Sequence, residues 1–73
     1  MKYELTDSMK DTIKYTVMKR LDYAIMTTDF KAEWLEPRAT DYIEEMIHIL
    51  FVLGYTEVAQ AYWNEYKEKK EGV

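Results

Sequence analysis

Between Met9 and Ile25 apolar side chains recur about every four residues, at Met9, Ile13, Val17 and Leu21 and then at Ala24 and Ile25. That spacing keeps them on one face of a helix. Thr6, Asp7 and Ser8 precede the stripe, and each has a side-chain oxygen able to accept an orphan backbone N–H at a helix start. The pattern predicts a first helix over about 8–27. Thr27, Thr28 and Asp29 close it, since two β-branched residues and an aspartate favour turns and caps over helix interiors. In the following "DFKAEWLEP", Asp29 can cap a short turn that presents Phe30, Trp34 and Leu35. Pro37 suits the first turn of a helix and pushes Glu36 out of the α region. The expected break is therefore at Glu36, with residues 28–36 a linker or a short helix. A first helix running unbroken to Leu35 is the rival reading.

From Pro37 a second pattern runs to about Leu53. Ala39, Tyr42, Ile43, Met46, Ile47, Leu50 and Leu53 line a broad apolar arc, which Phe51 and Val52 extend. An arc this wide predicts a central helix with neighbours on two sides. Gly54 stands where a left-handed C-cap is expected, and Thr56 can cap a third helix over about 56–70. Val58, Ala59, Tyr62, Trp63 and Tyr66 form its inner face, and Gln60, Asn64, Glu65 and Glu68 its outer one. The turn between the second and third helices is short enough to require antiparallel packing. No strand pattern competes. The prediction is an all-α fold in one domain spanning 1–73: a small three-helix bundle, or four helices with a short linker helix.

Composition narrows this picture. Seventy-three residues make one small domain at most, and such a chain buries only a modest share of its surface. Small domains commonly add disulfides, a metal or a partner chain. The chain has no cysteine, which excludes disulfides and thiolate zinc sites. Its two Trp, seven Tyr, two Phe and five Met exclude a disordered chain, which lacks the apolar surface to offset chain entropy. No apolar run approaches the ~20 residues needed to cross a bilayer, and the N-terminus lacks the apolar stretch of a signal peptide. A cytoplasmic protein is expected.

Charge is spread unevenly. Residues 1–31 sum to +1 and residues 32–73 to −5, and from Glu33 to Tyr66 the only basic side chain is Arg38. That acidic middle would repel a phosphate backbone and attract a basic surface.

The candidate chemistry is sparse. Glu45-x-x-His48 is half of the motif that carboxylate-bridged di-metal bundles use twice. The chain holds one histidine, and helical spacing puts Glu44, Glu45 and His48 outward, away from Met46, Ile47 and Leu50. We expect no metal and no cofactor. Ser8 is the only serine and reads as a cap, and Gly54 and Gly72 are the only glycines, so neither an activated nucleophile nor a phosphate loop is present. No enzymatic activity is expected. Lys10, Lys14, Lys19 and Arg20 are the basic residues of the first helix, interleaved with Asp7, Asp11 and Asp22. They support an alternative reading as a DNA-associated regulator. A helix-turn-helix would instead need a basic second helix, and "TEVAQAYWNEY" carries Glu57 and Glu65.

The segment "LGYTEVAQAYWNEYKE" resembles the second half of a tetratricopeptide unit at Gly54, Tyr55, Ala59, Tyr62 and Trp63. The first half of such a unit has a small-residue pattern absent here, and no ~34-residue repeat is present. The preferred reading is an ordinary helical hairpin with an aromatic core.

Tyr15, Met18, Tyr23 and Met26 lie off the stripe of the first helix. A cluster of Tyr and Met on one side can mark an interface. Its competitor is a linker whose Phe30, Trp34 and Leu35 fold back over that side. The functional expectation is a protein–protein interaction module, a small regulator or inhibitor of the kind phages and mobile elements often encode. The Tyr/Met side would supply apolar contact to a second copy or to a target. Asp41, Glu44, Glu45, Glu57 and Glu65 would meet a basic patch on the target. A structural homo-oligomer is a further alternative.

Overall fold

A computed structural model describes residues 4–32, 35 and 37–71. The chain is all-α, and the described residues form three helices and no strand: α1 (Asp7–Thr27), α2 (Pro37–Val52) and α3 (Thr56–Glu71). Helix α1 starts one residue before the expected position because Thr6 is the cap, its Oγ1 accepting from the Met9 N–H at 3.1 Å. Helix α3 starts at Thr56 itself, with Ala59 N–H donating to the Tyr55 carbonyl at 2.9 Å. Thr56 is therefore inside the first turn, and Tyr55 takes the cap position.

The unbroken first helix is overturned. Thr28 turns to an extended conformation, ψ 125°, and Asp29 Oδ1 accepts from the Lys31 N–H at 3.0 Å. That local bond offers the backbone an alternative to continuing the helix. Phe30 and Lys31 form a turn. Trp34 lies outside the described residues, so the expectation that it folds back over the first helix falls there too.

The α2–α3 turn follows from Gly54. Its φ is +94°, a region open to glycine at little cost. Tyr55 N–H donates to the Leu50 carbonyl and Gly54 N–H to the Phe51 carbonyl, each at 3.0 Å. This pair of bonds is the Schellman closure of a helix end.

Helix α2 contacts both neighbours. The core is Val17, Leu21 and Ile25 of α1, Ile43, Ile47 and Leu50 of α2, and Ala59, Tyr62 and Tyr66 of α3. Phe30 packs edge-on to Tyr66 with ring centroids 5.9 Å apart, and Trp63 tilts against the same ring at 5.6 Å. Met9 departs from its expected core position and is 52% exposed. Its 21-residue helix is about 7.5 Å longer than 16-residue α2, at 1.5 Å per residue. Tyr55, just beyond α2, reaches Asp11, so the turns of α1 before Asp11 overhang.

Candidate functional site

Three phenols set the relative positions of the helices. Tyr62 Oη donates to Asp22 Oδ1 on α1 at 2.7 Å, and Tyr66 Oη donates to Glu44 Oε2 on α2 at 3.1 Å. Tyr55 Oη, in the turn, donates to Asp11 Oδ1 at 2.9 Å. Burial pushes the Tyr62 phenol well above its ordinary value, and Asp22 adds to the rise. Tyr66 is raised in the same way by burial, with Lys70 opposing and Glu44 reinforcing. Each bond satisfies a polar tip on an aromatic body that lies in the core or, for Tyr55, packs against it.

These contacts correct two expectations. Glu44 does not face outward: it is half-buried at the α2–α3 seam, held by the Tyr66 phenol. His48 is exposed and lines a shallow groove there with Phe51, Gln60 and Trp63. The outward reading holds for Glu45 and His48, which are exposed, and fails for Glu44 because α3 packs on the side of α2 that bears it. Among the described residues no three His or carboxylate groups lie close enough to hold a metal ion.

Met18 is the second correction. It is half-buried and packs against the core, on the α3 side of α1 next to Asp22. Tyr15, Tyr23 and Met26 are 62%, 67% and 75% exposed. Phe30 does not cover them, because its ring is spent on Tyr66. Tyr23 instead borders an open groove between α1 and α2, whose walls include Ala24, Thr27, Ala39 and Tyr42, with Lys19 and Arg20 at its α1 edge. Tyr42 and Ile49 are exposed too, 38% and 37%. At about 100° per residue they lie on one strip of α2, two turns apart. Both were missed as surface residues. The available signal was the width of the apolar arc on α2, which is more than two neighbouring helices cover.

The charged candidates divide among several faces. Asp41 and Glu45 are exposed one turn apart on the back of α2, opposite Ile43, while Glu57 and Glu65 are exposed on α3. The basic residues of α1 do not share a face either. Lys19 is about 180° around the helix from Lys10. Lys14 is held 3.9 Å from Asp11 and lies over the rings of Tyr15 and Tyr55 at 4.7 and 4.9 Å. Arg20 and Lys19 are left together at the groove. No described helix is long and apolar enough to cross a membrane. Comparisons with protein-family models, curated proteins and solved structures yield no match to this chain.

Proposed function

We propose that the chain is a non-enzymatic protein–protein interaction module: a small helical bundle acting in the cytoplasm as a regulator or inhibitor. The observation that carries the reading is the run of exposed aromatic and sulfur side chains, Tyr15, Tyr23 and Met26 on α1, continued by Tyr42 across the groove. Tyr and Met give large contact area, with a polar tip or a flexible thioether to adapt to a partner. Exposed carboxylates at Asp41, Glu45, Glu57 and Glu65 fit a target with a basic surface, and would act mainly on association rate and specificity. The scattering of Lys10, Lys14, Lys19 and Arg20 around α1 gives the DNA-associated alternative less support.

Affinity capture from host extract tests this. A target retained by the natural chain should be lost by Tyr15→Ser/Tyr23→Ser/Met26→Ser, and its capture by Glu57→Lys/Glu65→Lys should weaken several-fold. Equal retention by natural chain and triple variant, with circular dichroism showing both folded, overturns the reading.

A further inference from the structure

We infer that the α1–α2 groove is the seat of a second copy of this chain, in a two-fold dimer that lays α1 of each copy over α2 of the other. The inference rests on the reading of this face as an interaction surface and names its occupant.

The first observation is charge. Lys19 and Arg20 stand on the α1 edge of the groove, and Asp41 and Glu45 on the exposed back of α2. Among the described residues the only ion pair is Lys14 with Asp11, so none of these four has an ionic partner among those residues. The outer surface of the α1–α2 pair thus carries cations at the α1 edge of the groove and anions on the back of α2, outside the groove's own lining, with Tyr23 and Tyr42 between. Arg38 is the one basic residue on the α2 back. An isologous contact brings a surface against itself. A two-fold axis parallel to the helices sets α1 over the other copy's α2 and opposes unlike charges at equal height. An axis perpendicular to them sets α1 over α1 and opposes Lys19 and Arg20 to their own copies. The charge pattern selects the first arrangement.

The second observation concerns the polar groups that such a contact would cover. Thr16 Oγ1 donates to the Thr12 carbonyl at 2.9 Å, Thr27 Oγ1 to the Tyr23 carbonyl at 2.8 Å, and Thr28 Oγ1 to the Ala24 carbonyl at 2.6 Å. These hydroxyl donors are already satisfied within α1. Covering these three threonines leaves none of their donors unpaired, which lowers the cost of burying that part of the face.

The third is size. A stable interface takes about 800 Å² from each partner, about one seventh of the 5847 Å² this chain exposes. Two neighbouring helices can present that area on one face.

The test is sedimentation equilibrium of the full chain, with circular dichroism as a check on folding. The natural chain should sediment as a monomer–dimer equilibrium whose dissociation constant rises with salt. Lys19→Glu/Arg20→Glu and Asp41→Lys/Glu45→Lys should each weaken self-association at least tenfold. An equimolar mixture of the two variants should restore the dimer, because each mixed pair again opposes unlike charges at both ends. Three results would overturn the dimer: a monomer at every concentration, a dimer indifferent to both charge reversals, or variants that fail to complement. A monomer that still captures a target through Tyr23 would sink the dimer alone and leave the interaction reading standing. Tyr23→Ser provides a charge-neutral check and should also weaken the dimer.

Discussion

Gly54 joins α2 to α3 with φ +94°. A side chain there would meet no atom within 4 Å, so any cost of adding one comes from the backbone alone. Gly54→Ala should destabilise the fold by about 1 kcal/mol, read as a lower urea midpoint with an unchanged slope. The start of α1 depends on a single side-chain oxygen in a similar way. Thr6 Oγ1 holds the Met9 N–H, and Thr6→Ala should cost about 1 kcal/mol. Ser8→Ala is the control. Ser8 contributes only a backbone carbonyl, which accepts from Thr12, and that carbonyl survives the substitution.

Between elements, phenol–carboxylate bonds tie α3 to both of its neighbours. Tyr62→Phe removes a bond to Asp22 but leaves the ring, and Asp22 is exposed, so water takes over its solvation. The expected loss is about 1 kcal/mol, towards the low end for a bond to a charged group. The pH dependence has a definite sign. Tyr62 and Tyr66 are raised above the ordinary phenol value by burial. A phenol raised on folding contributes stability below about pH 10 and loses it as pH climbs through the folded value. The melting temperature should therefore fall above about pH 10. In Tyr62→Phe that fall should be shallower, and absorbance at the phenolate wavelength should lose its highest-pH portion. An unchanged alkaline limb would show that the Tyr62 bond contributes nothing. The inner face of α3 was legible from spacing alone, because Ala59, Tyr62 and Tyr66 recur at helical intervals and periodicity is a local property. The partners of those tyrosines were not legible. Whether Glu44 faces water or Tyr66, and whether Met18 is a contact residue or part of the core, depends on the side from which α3 arrives. That is a long-range fact with no local signature. Tyr42 failed for the converse reason: its spacing marks it as apolar-facing, but the helix packing leaves its edge open.

Across the whole molecule, residues that hold the fold must be told apart from residues that hold a partner, and adjacent positions on α2 allow it. Leu50 is fully buried and Ile49 beside it is 37% exposed, on the strip of α2 that bears Tyr42. A domain of this length has roughly 4–11 kcal/mol of stability in total. Leu50→Ala leaves a cavity and should cost about 3 kcal/mol, most of the stability of a chain at the low end of that range. Ile49→Ala removes a half-solvated side chain and installs a better helix former, so the chain's own stability at high dilution should shift by less than about 0.5 kcal/mol. Folding and self-association are linked by mass action, because a dimer that forms only from folded chains raises the melting temperature with concentration. The natural chain should therefore melt higher at millimolar than at micromolar concentration. Leu50→Ala should lower both melting temperatures together. Ile49→Ala should leave the dilute value in place and narrow the gap between the two. If Ile49→Ala instead lowers the dilute melting temperature as far as Leu50→Ala does, that strip of α2 belongs to the core, and the exposed face it was assigned to is smaller than the groove requires.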